Sequence, residues 1–469
     1  MVLTIIGAGP GGYETAAAAA ARGQEVHLVT DGPLGGTCLN EGCIPTKTFC
    51  RDAEVLENLR NSEKFGIETG GAAFGMDMAK AVERKDEIIS QLRNGIGMLL
   101  KNKLIHLHFG KAAFKDQHTV TVRTEEGTEE LVSDYIIIAT GSVSSTLPIP
   151  GNDSEGVITS REMLSMKDIP ARLCVIGAGV IGLEFASIFR SFGSEVTVLE
   201  YCRDILPRFD TDMAKRLKQT LSRRGISIET SAQVRSITQE EGGEMCVRYL
   251  KKDAECEIRA DRVLMAVGRR PNVSSLNLDD IGIEYTAKGI VTDEDMRTNV
   301  PHIFAIGDVR GGMMLAHVAT FEGKRALNTI LEELAGRKPD CPVDDGINLA
   351  IVPAAVFTSP EAATVGMTED ECREAGIPVR CLKSFFRANG KAVSMDETEG
   401  YCKIVVAEDG GTYISGQILG CHMFGPHSSD IIQEIAALMN RTATVYDLKN
   451  IVHAHPTLSE VLLSAAGQA

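Results

Sequence analysis

Two stretches of the chain share one order of apolar and small residues. Val2-Leu3-Thr4-Ile5-Ile6 runs into Gly7-Ala8-Gly9-Pro10-Gly11-Gly12-Tyr13-Glu14, and Leu173-Cys174-Val175-Ile176 runs into Gly177-Ala178-Gly179-Val180-Ile181-Gly182-Leu183-Glu184. A short apolar run stopped by glycine predicts a buried strand. After the second turn, Ile181, Phe185, Ile188 and Phe192 keep the period of a core helix. Ile88, Leu92, Ile96, Leu99 and Leu100 predict a long helix despite Gly95 and Gly97. Towards the end, alternation through Tyr401-Cys402-Lys403-Ile404-Val405-Val406 predicts a strand, and Ile431, Ile435 and Leu438 an amphipathic helix.

Strand, glycine turn and helix together make a phosphate site. The first glycine permits a tight turn, the second lets a pyrophosphate approach the backbone, and the third lets helix pack on strand. The helix start offers its unpaired N–H groups to the anion. One such motif is weak, but here Gly7, Ala8, Gly9, Gly12, Glu14 and Ala16 reappear at one offset as Gly177, Ala178, Gly179, Gly182, Glu184 and Ala186. Two dinucleotide sites are expected. Glu200 follows the strand Val196-Thr197-Val198-Leu199 where a carboxylate accepts from both ribose hydroxyls and repels a 2′-phosphate, favouring NAD over NADP. In the first copy the same offset lands on Thr30, with Asp31 next, and either could make that contact. The motifs alone do not say which dinucleotide the first site takes.

At 469 residues the chain is long enough for about three domains at roughly 150 residues each. With 43% apolar and 24% charged residues it has an ordinary globular composition. The net charge of −16 argues against nucleic-acid backbones and anionic membranes as partners. No apolar run reaches the roughly 20 residues of a membrane span. Met1 leads straight into a strand with no basic leader, so a soluble, cytoplasmic protein is expected.

Twelve cysteines scattered over such a chain read mostly as inert thiols. Cys38 and Cys43 stand apart, in Gly35-Gly36-Thr37-Cys38-Leu39-Asn40-Glu41-Gly42-Cys43-Ile44-Pro45-Thr46-Lys47. On a regular helix, Cα atoms at that spacing lie roughly 8–9 Å apart, beyond the ~7 Å a disulfide tolerates. A bridge needs an irregular segment, which Gly42 permits, and Pro45 suits the first turn of a helix whose positive end favours a thiolate at Cys43. No second ligand pair stands beside them, so redox chemistry is expected and no metal.

These residues resemble the flavin-dependent pyridine nucleotide–disulfide oxidoreductases over essentially the whole chain, and most of all the branch that acts on dihydrolipoamide. Ile136-Ile137-Ile138-Ala139-Thr140-Gly141-Ser142 resembles the family's return to FAD, and Ala266-Val267-Gly268-Arg269-Arg270-Pro271-Asn272 its counterpart beside NAD. Ile303-Phe304-Ala305-Ile306-Gly307-Asp308 resembles the second FAD motif, with Met314-Leu315-Ala316-His317 after it. The resemblance implies FAD at the first site and NAD at the second. It implies Asp308 on the ribityl chain, Lys47 and Glu184 near the flavin, and Gly36, Thr37, Gly110, Ala139, Thr140, Gly141, Ile181, Val234 and Gly268 as further cofactor contacts. It makes Cys38 the sulfur exposed to substrate and Cys43 the one nearer the flavin.

The C-terminal stretch His453-Ala454-His455-Pro456-Thr457-Leu458-Ser459-Glu460 supplies a base by the same resemblance. His455 would be that base, oriented by Glu460, with His453 as a neighbour and Pro456 at a helix start. It would reach the disulfide of a second subunit, which implies a homodimer. The expected fold class is α/β: two Rossmann-like domains, for FAD and NAD, and a C-terminal α+β dimerisation domain. The divisions would be 1–143 (FAD), 144–271 (NAD), 272–341 (FAD and central region) and 342–469 (interface). No lipoyl domain precedes the first strand, so the substrate is expected on a separate lipoyl-carrying protein, of a 2-oxoacid dehydrogenase complex or the glycine cleavage system.

Overall fold

A computed structural model describes residues 1–240, 242–338 and 343–469. Its Cα packing separates two units. The first joins Met1–Thr48, Val82–Ser145 and Gly268–Leu349; the second joins Phe49–Ala81, Thr146–Val267 and Ala350–Ala469. The expected boundary at 341/342 lies outside the described residues.

The first unit is built on β1 (Val2–Ile6), β2 (Glu25–Thr30) and β3 (Ile105–Phe109). They are three strands of a parallel five-stranded sheet, in the order Ile303–Ala305, Tyr135–Ile138, β1, β2, β3. Both faces of β1 are covered, so it is apolar but for the buried Thr4, whose hydroxyl meets that of Ser133. Helix α1 (Pro10–Ala21) joins β1 to β2, and its alanines let it lie close against the helix Ala316–Leu334. An antiparallel meander, Lys111–Phe114, Thr119–Arg123 and Thr128–Val132, belongs to the same unit.

The second unit repeats the scheme. A parallel sheet runs in the order Ile226–Thr230, Glu195–Glu200, Arg172–Ile176, Arg262–Met265, Val157–Ile158, with its own meander over Ala232–Gln239, Met245–Lys251 and Ala254–Ala260. The C-terminal part is an antiparallel sheet of five strands: Ala354–Val356, Ala362–Gly366, Ile418–Phe424, Tyr401–Ala407 and Val379–Phe385. The helix Ser428–Met439 buries Ile431, Ile432 and Ile435 in the core of that sheet.

Two sequence expectations change. Tyr401–Ala407 does not alternate between core and solvent; all seven residues are buried, because the strand is central and covered on both faces. The long helix exists, as Met78–Leu99, but Leu92 and Leu99 are exposed and Ile88 half-buried. The face it buries is offset, through Met78, Ala81, Val82, Lys85 and Ile89. Among the described residues no helix is long and apolar enough to cross a membrane.

Candidate active site

The first glycine turn is closed wherever the fold needs it closed and open at one place. A Cβ on Gly7, whose φ is +113°, would lie 2.2 Å from the Ala139 carbonyl oxygen, and one on Gly12 would lie 1.8 Å from that of Gly7. Gly9 has nothing within 4 Å of such an atom, and it caps α1 without any side-chain hydrogen bond. The second turn repeats this: Gly177 meets the Ala266 oxygen, Gly182 the Gly177 oxygen, and Gly179 is open at the start of the helix Val180–Phe192. Ile181 sits half-buried in that first turn. Each turn is therefore an open cradle at a helix start, where the first N–H groups have no intrahelical partner, the chemistry a pyrophosphate requires.

Beside the second cradle, the Glu200 carboxylate accepts from Ala178 N–H at 2.5 Å and Cys202 N–H at 2.7 Å. The Cys202 thiol is hydrogen-bonded to the same carboxylate, which keeps accepting capacity for a ribose hydroxyl. Val234 lies in the apolar core of the neighbouring meander. Beside the first cradle, the Thr30 hydroxyl donates to Gly32 O at 3.0 Å and Gly110 N–H donates to Thr30 O at 2.9 Å. Asp31 is exposed.

The strand Tyr135–Ile138 ends where Ala139 N–H donates to Ile6 O, and the Thr140 hydroxyl donates to Asn272 O at 2.7 Å. Gly141 O accepts from Asn272 N–H. From Arg269 onward the chain leaves the second sheet and pairs, as Arg269–Pro271, with Ser142–Ser144. Gly268, at φ +113°, makes the turn. Arg269 Nε donates to Ser142 Oγ and Nη2 to Ser142 O, both at 2.7 Å, while Ser142 Oγ donates to Asp308 at 2.5 Å. The guanidinium also feels the charges of Asp308, Glu41 and Cys43, although burial lowers its pKa. Neighbouring Gly307 donates its N–H at 2.6 Å to Glu322, whose carboxyl burial pushes up. Met314, Leu315, Ala316 and His317 form the entry to the helix Ala316–Leu334.

The cysteine segment has the irregularity its spacing demanded. Helix α2 (Gly36–Glu41) stops at Gly42, with φ −141° and ψ −107°, and α3 (Cys43–Arg60) begins at once. Cys43 is the first residue of an 18-residue helix. A Cβ on Gly36 would lie 2.7 Å from the Gly9 Cα, so this segment lies against the first cradle, with Thr37 beside it. Cys38 lies beside Cys43 and is hydrogen-bonded to it. The hydrogen bond to Cys43, burial and the charge of Cys43 all hold the proton on Cys38, against the pull of Lys47 one turn along α3. Cys43 opens α3, where the positive end of a helix favours a thiolate. Glu184, in the second unit, is buried and accepts from Phe357 N–H at 3.0 Å, so it is no solvated helix-face carboxylate.

At the C-terminus, His455 Nδ1 donates to Glu460 Oε1 at 3.0 Å, and Thr457 N–H donates to Glu460 Oε2 at 2.8 Å. The Thr457 N–H and then His455 hold the Glu460 carboxyl below its ordinary pKa. The imidazole of His455 is 78% exposed. The His453 side chain is buried, with Nδ1 donating to Ile451 O at 2.9 Å and Nε2 at 3.1 Å from Glu434. Pro456 does not open the last helix, which starts at Glu460. Among the described residues no group of three or more His, Cys, Asp or Glu is placed to hold a metal ion.

Residues 1–323 match the family model described as pyridine nucleotide-disulphide oxidoreductase, and residues 352–466 match its dimerisation domain. The chain belongs to that family. It is 38% identical over 465 residues to a dihydrolipoyl dehydrogenase of Bacillus subtilis (strain 168), covering 99% of this chain and 98% of the relative. It is 38% identical over 463 residues to one from Geobacillus stearothermophilus, covering 98% and 94%. Among solved structures it is similar to the HOCl-induced flavoprotein disulfide reductase RclA from Escherichia coli, with a TM-score of 0.85, 30% identity and coverage of 100% and 99%. The Cu(II) complex of that reductase matches with a TM-score of 0.86.

The protein is accordingly a flavoprotein disulfide oxidoreductase of this family, with FAD and NAD(H) as cofactors and a dimerisation domain that contains His455 and Glu460. Two residues carried no signal in the sequence: in the second unit Phe357, on Glu184, and in the first Arg93, whose guanidinium meets Asn40 between the cysteines. Each acts through a polar contact with a residue far along the chain. Such contacts leave no periodicity to read.

Proposed function

We propose that the protein oxidises dihydrolipoamide, carried on a lipoyl-bearing protein, and reduces NAD+ in the cytoplasm. It would work as a homodimer in which His455 of one subunit serves the Cys38–Cys43 pair of the other. The four-part domain division expected from the sequence belongs to this reading.

His455 Nε2 takes the proton of a substrate thiol, since Nδ1 keeps its own proton against Glu460. The thiolate attacks Cys38 in the Cys38–Cys43 disulfide, and Cys43 leaves as a thiolate favoured by the α3 N-terminus and Lys47. The second substrate thiol then attacks the mixed disulfide, releasing cyclic lipoamide and Cys38, which takes up a proton. Two electrons now rest on the cysteine pair. Bound FAD supplies an acceptor for these electrons and a hydride donor to NAD+. Its phosphates would be held over Gly7, Gly9 and Gly12, its ribityl chain by Asp308, and the adenosine ribose by Asp31, because the Thr30 hydroxyl is committed to Gly32. NAD+ would lie over Gly177, Gly179 and Gly182, with its ribose on Glu200.

The His455–Glu460 pair carries the choice of substrate: a base fixed in one tautomer and left exposed suits a dithiol that must be deprotonated. The test is steady-state kinetics with dihydrolipoamide and glutathione against NAD+ and NADP+. Turnover of dihydrolipoamide with NAD+, well above the other three pairings, is expected. Equal or better turnover of another thiol, or preference for NADP+, overturns the reading.

A further inference from the structure

Helix α2 is held in place by a contact that the chemistry above does not use. It has only six residues, is entered through Gly35 and Gly36 at φ +96° and +57°, and is cut off at Gly42. A helix so short has no stability of its own, since isolated helices need on the order of 12–15 residues. Its side chains must fix it. Leu39 is buried beneath it. On its other side Asn40, between the two cysteines, uses its amide fully. Nδ2 donates to Leu34 O at 3.1 Å and Gly36 O at 2.8 Å, tying the segment to its own entry. Oδ1 accepts two bonds from one guanidinium on the helix Met78–Leu99, from Arg93 Nε at 3.2 Å and Nη2 at 2.6 Å. Both side chains are half-buried.

We propose that Arg93 is a positioning residue for the redox pair, acting through Asn40 to keep Cys38 over Cys43 when no bond joins them. The need arises once per turnover. While the disulfide exists, covalent geometry holds the sulfurs ~2.05 Å apart. Once it opens, hydrogen bonds to Cys43 and the packing of α2 hold Cys38, and re-closure depends on the local concentration of one sulfur at the other. Arg93 works by its two-pronged geometry. Lys47 is the cation that acts on Cys38; a lysine at position 93 would keep the charge and lose the fork.

This rests on the redox role proposed for the cysteines but not on the substrate. The readout is therefore the dithiol–disulfide equilibrium of the FAD-loaded protein in glutathione buffers, in which two glutathione thiols reduce the Cys38–Cys43 bond and leave as one glutathione disulfide. Arg93→Lys and Arg93→Met are each expected to shift that equilibrium about tenfold towards the dithiol, a change of about 30 mV for two electrons. Bound flavin and melting temperature serve as controls on folding. Asn40→Ala should shift it similarly, and adding Arg93→Met to Asn40→Ala should shift it no further. A wild-type equilibrium in both Arg93 variants, or in Arg93→Lys alone, overturns the proposal, as does full additivity of the two changes. If the wild type exchanges normally but does not oxidise dihydrolipoamide, the substrate assignment fails and the Arg93 clamp stands.

Discussion

Glu460 receives the Nδ1 proton of His455 at 3.0 Å and leaves Nε2 as the only basic nitrogen of a largely exposed ring. A carboxylate cannot donate, so the tautomer is settled by the pair itself. Replacing His455 with Gln should lower kcat for dihydrolipoamide by about 10²–10⁴-fold, the range of a lost general base. Glu460→Gln should cost less, because the ring remains and only its orientation is freed. Steady-state kinetics with both variants tests this; a Glu460→Gln loss larger than that of His455→Gln would contradict the order.

Cys38 keeps its proton beside Cys43, and the two should therefore fail differently. Cys43→Ser removes the sulfur at the start of α3, where a thiolate is favoured. Dihydrolipoamide turnover should fall to below about 1% of wild type, as for other lost catalytic groups, because no disulfide is left for the substrate thiolate to attack, with flavin still bound. Cys38→Ser should abolish turnover equally, and it leaves Cys43 as the one thiol of the pair. Alkylation followed against pH, in the two single variants, would show Cys43 reacting at lower pH than Cys38.

Glu200 is held by two backbone N–H groups, from Ala178 and Cys202. Its charge is thus fixed where the adenosine ribose of NAD+ would lie. Glu200→Gln keeps an acceptor and removes the charge that repels a 2′-phosphate. The expected outcome is a fall in the ratio of kcat/KM for NAD+ over NADP+ by about tenfold, a change of ~1.4 kcal/mol, measured with dihydrolipoamide held constant. An unchanged ratio would remove Glu200 from the nucleotide site.

The parts of this protein that showed in its sequence are those where sterics leave no choice. Gly12 must be glycine because any side chain would strike Gly7, and Gly182 repeats the demand, so both sites were readable. Cys38 and Cys43 were readable because their spacing forces a break, which the structure puts at Gly42. Burial was harder. The apolar residues of the helix Met78–Leu99 predicted the helix but not its buried face, since Leu92 and Leu99 stay exposed in the single chain. Lys403 looked like an outward residue of an alternating strand, and only tertiary structure shows the Asp210 that lets it be buried.

His27 heads a small titrating cluster on β2 and β3. Its Nδ1–H donates to His108 Nε2 at 2.9 Å, and His108 Nδ1–H donates to Glu129 at 2.7 Å. The His106 ring stacks on His27 with centroids 5.1 Å apart and lies 3.4 Å from Glu25. Burial, then His108 and His106, lower the His27 pKa, against a smaller raising effect of Glu25 and Glu129. The unfolded chain therefore takes up this proton first, at about pH 6.5. The cluster's contribution to stability is full above that pH and is lost as pH falls towards the folded value. Melting temperature should drop more steeply between pH 7 and 5 for the wild type than for His27→Gln; parallel curves would exclude the cluster.

The Lys403 ammonium, 1% exposed, lies 2.8 Å from the equally buried Asp210 and 2.8 Å from Glu369. Burial works against its charge, but the two carboxylates outweigh it and leave its pKa raised. Asp210 has a second task, accepting from Met213 N–H at 3.0 Å to cap the helix Thr211–Arg223. Lys403→Met would leave that carboxylate buried without its cation, a change that typically costs about 3–5 kcal/mol. Asp210→Asn with Lys403→Met should recover much of the loss, because no unpaired charge remains and Asn still caps. Urea denaturation of the two variants decides it. A double variant no more stable than Lys403→Met would show that the loss comes from the packing of the lysine stem rather than from the stranded charge.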